Sequence, residues 1–106
     1  MTDEYIIVIV TAANRHEAEK IAQQLLKEKL IACANIIGSV SSFFRWSGKI
    51  ESAEECLLLM KSRRNFFGKI ADAVKGLHSY EVPEIIALPI VEGSQSYLAW
   101  LADCLM

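Results

Sequence analysis

The chain has 106 residues, of which 53% are hydrophobic, and its formal net charge is −2 at pH 7. This length suits one domain, and the scattered basic residues exclude the clustered charge of a nucleic-acid-binding face. No apolar run approaches the roughly 18 residues of a membrane span, and the acidic N-terminus is unlike a secretory signal. The three cysteines form no C-x-x-C pair and are expected to be free thiols. The sequence therefore predicts one domain over residues 1–106, cytoplasmic, with neither nucleic acid nor membrane as a partner.

The first quarter of the chain predicts a strand followed by a helix. Residues 5–10 are apolar on both alternating faces, which is typical of a strand in the middle of a sheet. Asn14 and Glu17 match a capping box, in which the first side chain caps the helix and the second reaches back to the cap. Apolar residues at helical spacing from Ala18 to Leu26 predict a helix that packs on the sheet and ends near Lys29.

A long hairpin is predicted in the middle of the chain. Residues 31–46 and 50–60 read as its two strands, with Gly38 as a bulge and Ser47-Gly48 as the turn. Each arm would extend about 40–50 Å, whereas a globule of this length is about 33 Å across. The hairpin should therefore extend beyond its own domain. An exposed ribbon with aromatic residues favours pairing with another chain, and these aromatics are Phe43, Phe44 and Trp46.

The second half of the chain predicts a helix, a short strand and a terminal helix. The apolar side of the helix runs from Phe66 to Leu77, and the helix must end before Pro83, which cannot donate a helical hydrogen bond. Residues 84–90 read as the strand and residues 94–105 as the last helix. The order β-α-β-β-α-β-α predicts an α+β fold of the ferredoxin-like split β-α-β type, with an antiparallel sheet and a C-terminal helix.

The densest polar stretch within apolar surroundings lies between the second helix and the last strand. It contains His78, Glu81 and Glu84, but Pro83 prevents the helix that would bring all three onto one face. Their spacing alone therefore does not predict a metal site. A turn without a binding role explains this stretch equally well.

Two other parts of the chain carry chemically reactive or charged side chains. Lys61, Arg63 and Arg64 close the third strand, where they would either hold an anion or, as is more common, face water. Cys33 is a soft ligand or nucleophile if its thiolate is stabilised, but buried cysteines more often act as small apolar residues.

Three blocks of the sequence, in order, resemble the CutA divalent-cation-tolerance family. They are LIACANII at 30–37, WSGKI at 46–50 and HSYEVPEIIALPI at 78–90. The resemblance extends from about Tyr5 to Leu101. It implies a ferredoxin-like, PII-like subunit that assembles as a homotrimer through long hairpins, which agrees with the overlong hairpin predicted above.

The resemblance also implies where a ligand binds. The family is associated with tolerance of copper and other divalent cations, and the copper ligation described for it uses a first-strand cysteine and two adjacent histidines. These positions are Val10 and Leu77-His78 here, so His78 is the one metal ligand that remains. At Gly38-Ser39 and at Ser79 the sequence departs from the residues usual in the family, and these departures affect turns only. The other matched polar positions are expected in clefts between subunits: Cys33, Trp46, Lys61, Tyr80, Glu81 and Glu84.

The leading hypothesis is a homotrimeric, non-enzymatic protein of divalent-cation tolerance. It would hold no tightly bound cofactor, and it would bind copper(II), another divalent cation or a small ligand weakly in its intersubunit clefts. The alternative is a PII-like regulatory or scaffold trimer that acts on protein partners without metal chemistry. A third hypothesis is an enzyme with an unrecognised site, although the sequence has no nucleophile elbow, HExxH, GxGxxG or phosphate-loop motif.

Overall fold

A computed structural model describes residues 4–106, in which four strands form one antiparallel sheet with the order β2-β3-β1-β4. This strand order and the alternation of strands and helices confirm the predicted ferredoxin-like α+β fold. The elements are β1 (Tyr5–Ala12), α1 (Arg15–Lys27), β2 (Cys33–Trp46), β3 (Lys49–Arg63), a 3₁₀ turn (Arg64–Phe66), α2 (Phe67–Leu77), β4 (Ile85–Pro89) and α3 (Gln95–Asp103).

Helix α1 begins and ends at sequence-encoded caps. The Asn14 side chain accepts a hydrogen bond from Glu17 N at 2.9 Å, and the Glu17 carboxylate accepts one from Ala13 N, one residue before the cap. At the other end, Lys29 has a φ of 60°, and Leu30 N donates to Leu25 O. This Schellman arrangement ends α1 at Lys27, two residues before the predicted end, because a left-handed residue cannot continue the helix.

The central hairpin is confirmed, and it elongates the molecule. Both turn residues have positive φ, 50° at Ser47 and 75° at Gly48, as a two-residue type I′ turn requires. The register shifts between Ile37 and Val40, so the predicted bulge is present, although Ser39 rather than Gly38 takes the positive φ of 58°. The long axis is 44 Å against 26 and 23 Å, and the radius of gyration is 14.3 Å, whereas about 13 Å is typical of this length.

The last two helices also follow their predicted signals. Helix α2 ends at Leu77, before Pro83, and Ser94 caps α3 by accepting a hydrogen bond from Tyr97 N at 3.3 Å. Helix α3 contacts β3, and its Leu101 is fully buried. Within residues 4–106, no helix combines the length and apolar character that a bilayer crossing requires.

The two faces of the sheet differ in how far other elements cover them. On one face, alternate residues of β1 pack with α1 and α2 in the core, beginning with Ile6 and Val8. The strand registers place a second apolar set on the opposite face. This open face consists of Ile7, Ile9, Ile37, Leu57, Leu59, Ile86 and Leu88. Three of its members are exposed by about half: Ile37 by 46%, Ile86 by 48% and Leu88 by 51%.

Candidate functional site

The residues predicted to line a ligand cleft lie far apart within one protomer. Cys33 and Lys61 are register partners on β2 and β3, whereas Tyr80 contacts Glu55, six residues earlier on β3. Six residues of strand span about 20 Å. Trp46 lies at the tip of the hairpin, about 43 Å along β2 from Cys33. One protomer therefore contributes separate parts of the predicted cleft and does not bring them together.

The first part is a hydrogen-bonded network around His78. The His78 side chain is completely buried, and its Nε2 lies 2.7 Å from Thr11 O. Because a carbonyl oxygen can only accept, Nε2 carries the proton and donates it to Thr11. Nδ1 then accepts a hydrogen bond from Tyr80 N at 3.0 Å. Both ring nitrogens of His78 are therefore occupied by backbone groups.

Glu17 connects this ring to helix α1. One carboxylate oxygen accepts from Ser79 N at 3.1 Å, and the other accepts from Ala13 N at 3.1 Å and lies 3.4 Å from His78 Nδ1. Burial alone would raise the pKa of the Glu17 carboxyl, but the hydrogen bonds from Ser79 and Ala13 outweigh it and hold the pKa below its ordinary value. Glu17, the second residue of the capping box, thus fixes the start of the loop that follows α2.

Tyr80 extends the network to the sheet. Its hydroxyl donates to a carboxylate oxygen of buried Glu55 at 2.6 Å, and its ring lies 4.6 Å from the His78 ring, centroid to centroid. Burial, followed by the hydrogen bond and the negative charge of Glu55, raises the pKa of Tyr80 to about 12. The phenol therefore stays protonated at neutral pH and serves as a donor. We call this set of five residues the His78 network: Thr11, Glu17, Glu55, His78 and Tyr80.

The His78 network is not a preformed copper site. Glu81 and Glu84 are exposed on the loop beyond it, and within residues 4–106 no three His, Cys, Asp or Glu side chains converge as metal ligands would. Copper(II) prefers several nitrogen and oxygen donors in tetragonal geometry. For His78 to coordinate a metal, one of its two backbone hydrogen bonds has to open first.

The second part lies at the other end of β3, around Lys61. Lys61 Nζ donates a hydrogen bond to Asn35 Oδ1 and lies 4.0 Å from Cys33 Sγ. On α3, Tyr97 neighbours Cys33, and burial, followed by the nearby Cys33 and Cys104 thiols, raises the pKa of its phenol. We call this set the Lys61 group: Cys33, Asn35, Lys61 and Tyr97.

Sequence reasoning missed several members of both parts. Glu17 carried a signal, the capping box, but that motif predicts only a local bond within α1. Its contact with Ser79 joins positions 62 residues apart. Asn35 lies in the block at 30–37 but nothing in that block links it to Lys61, and Tyr97 lies in none of the three blocks. Tertiary packing alone assembles these contacts.

A concavity of about 650 Å³ lies elsewhere, between the start of α2 and strand β4. Its walls include Arg64, Phe67 and Ala87, and none of the predicted cleft residues lines it. It therefore gives no support to the predicted cleft.

The chain is similar to proteins of known family. A sequence profile described as CutA1 divalent ion tolerance protein matches residues 6–104. The divalent-cation tolerance protein CutA of Thermus thermophilus is 43% identical over 97 residues, covering 92% of this chain and 94% of the relative. The chloroplastic protein CutA of Arabidopsis thaliana is 44% identical over 98 residues, also covering 92% of this chain, which spans only 54% of that relative.

Solved structures agree with this relationship. The Thermus thermophilus divalent cation tolerance protein superposes with a TM-score of 0.94 at 41% identity, covering 96% of this chain and 99% of that one. The periplasmic divalent cation tolerance protein CutA of Archaeoglobus fulgidus gives 0.92 at 42% identity, covering 94% and 97%. The chain belongs to the CutA1 divalent ion tolerance protein family.

Proposed function

We propose that the protein acts in divalent-cation tolerance as a homotrimer whose small-ligand clefts form between subunits. The relatives' names supply the biological role, and the open face of the sheet is the observation that carries the assembly. Seven apolar side chains share this face, and three of them are about half exposed in the protomer. Apolar side chains exposed side by side on one face are typical of a protein–protein interface.

The hairpin supports the same assembly. Its tip leaves Phe43 75% exposed and Trp46 61% exposed, so aromatic surface lies beyond the protomer's own core. Contact with neighbouring subunits would remove both the open face and these aromatics from water. Assembly would also allow the Lys61 group of one subunit to meet the loop and hairpin of another, which one protomer cannot do.

Sedimentation equilibrium tests the assembly directly. We expect one species of three protomer masses at micromolar concentration, together with folded circular dichroism. A folded monomer at that concentration would contradict the proposal, because it would show that the protomer is stable with the open face exposed to water.

Copper(II) binding at His78 is expected to be weak and exchangeable. Coordination breaks a backbone hydrogen bond of the buried ring, which costs about 1–3 kcal/mol, and residues 4–106 contain no cluster of three His, Cys, Asp or Glu side chains to complete a site. Calorimetric titration should show that His78→Ala abolishes the binding, while His16→Ala, on the exposed side of α1, leaves it unchanged. Tight binding that survives in His78→Ala would place the ligands elsewhere.

A scaffold that acts on protein partners is the second candidate function, favoured by the same exposed aromatics. If the trimer leaves Phe43 and Trp46 accessible, a partner protein has a surface to contact. Hydrogen exchange of the hairpin in the trimer distinguishes the two candidate functions. Protection at the hairpin tip favours burial between subunits, and rapid exchange there favours a surface that contacts a partner protein. A cytoplasmic location is part of the proposal, although names of relatives include chloroplastic and periplasmic proteins.

A further inference from the structure

The Lys61 group combines a cation with neutral polar groups and contains no carboxylate. Lys61 is half-buried, and within the described residues no acidic side chain forms an ion pair with it. Its hydrogen-bond acceptor is the neutral amide oxygen of Asn35. An ammonium group that is partly withdrawn from water and lacks a counter-ion gains free energy when an anion approaches.

The neighbours of Lys61 are neutral, and Asn35 offers donors as well as the oxygen that accepts from Lys61. Because Asn35 Oδ1 accepts from Lys61, the two N–H donors of the Asn35 amide remain available. The Cys33 thiol lies 4.0 Å from the ammonium nitrogen. Donors around one positive charge complement an oxyanion, whereas they repel a divalent cation.

The position of the group on the sheet also suits a ligand. Cys33, Asn35 and Lys61 project from the same face as the apolar open face and occupy one corner of it. Assembly through the apolar part would leave this polar corner at its margin, where a small molecule can be enclosed without displacing the subunits.

We propose that the Lys61 group binds a small oxyanion, through a carboxylate or phosphate group held by Lys61 and Asn35. This inference rests on the proposed function only in that a neighbouring subunit would close the cleft. It specifies the ligand class of that cleft: anions at the Lys61 group, and no metal ion there.

Calorimetric titration with inorganic phosphate and, separately, with malonate tests the proposal. The variants are Lys61→Gln, which removes the charge, and Lys75→Gln, which removes the same charge from an exposed position in the last turn of α2. We expect wild type and Lys75→Gln to bind at least one probe equally. Lys61→Gln should bind it at least about ten-fold more weakly, since hydrogen bonds to charged groups are strong. The probe that binds distinguishes a phosphate from a carboxylate ligand.

Three outcomes would overturn the proposal. In the first, neither probe binds to wild type. In the second, a probe binds equally to wild type and to Lys61→Gln. In the third, the Lys61→Gln trimer dissociates while neither probe changes the melting temperature of wild type. The last would show that Lys61 pairs with a neighbour's carboxylate instead of a ligand. Sedimentation of the same samples keeps the two proposals distinguishable, because a monomer that binds phosphate through Lys61 would refute only the trimer.

Discussion

Replacing Ile86 by glutamate is expected to convert the proposed trimer into folded monomers. Ile86 lies on the open face and is 48% exposed in the protomer, so a glutamate there reaches water when the chain is alone. In the assembly the same carboxylate would be buried against apolar side chains without a partner. Such burial costs about 3 kcal/mol or more per charge, which weakens association by roughly a hundred-fold or more.

A matched control separates assembly from folding. Leu26→Glu introduces the same charge at a residue with a similar exposure of 41%, but on α1, away from the open face. Sedimentation equilibrium should show monomers for Ile86→Glu and an unchanged trimer for Leu26→Glu, with the same circular dichroism in both. If Ile86→Glu sediments as wild type does, the open face is not the interface.

Removing the Glu17 side chain is expected to be the most destabilising single change in the His78 network. Glu17→Ala leaves Ala13 N and Ser79 N without their acceptor and removes the carboxylate beside His78. Both hydrogen bonds are partly buried, and a fully buried unsatisfied donor costs about 1–3 kcal/mol, so a total loss of about 1–3 kcal/mol in the free energy of unfolding is expected. Denaturant unfolding at fixed protomer concentration measures it, because the stability of an oligomer depends on concentration.

Glu19→Ala is the control for this prediction. Glu19 lies on the same helix, is 48% exposed and makes only a surface pair with Arg15 at 3.6 Å. Its removal should cost no more than about 0.5 kcal/mol. Equal losses for Glu17→Ala and Glu19→Ala would mean that the Glu17 contacts contribute nothing to stability.

The pH dependence of stability provides a second test of the contribution that Glu17 makes to the free energy of unfolding. Its pKa in the folded protein lies below the ordinary value of 4.5, so its contribution is complete above pH 4.5 and is lost as the pH falls through the folded pKa. Glu17→Gln cannot ionise and should lack this part of the acid-induced loss. Unfolding free energies that fall equally steeply below pH 4.5 in wild type and Glu17→Gln would contradict the assignment.

Local patterns along the chain were sufficient to predict the elements and the fold. The caps at Asn14 and Ser94 set the starts of two helices, and Ser47-Gly48 sets the hairpin turn, because each depends on hydrogen bonds or backbone angles within a few residues. The lengths of the hairpin arms likewise follow from uninterrupted strand patterns, so the elongated shape was predictable too.

Only the tertiary structure decided how the functional residues are grouped. It joined Glu17 to the His78 loop, provided Asn35 rather than a carboxylate as the acceptor for Lys61, and placed Lys61 about 20 Å along β3 from Glu55, the residue that Tyr80 contacts. Sequence spacing carries no information on such contacts, because the partners come from different elements and meet through strand register and helix packing. The resemblance of the sequence to a family indicated which residues matter, and the register of the sheet decided which of them can act on one ligand.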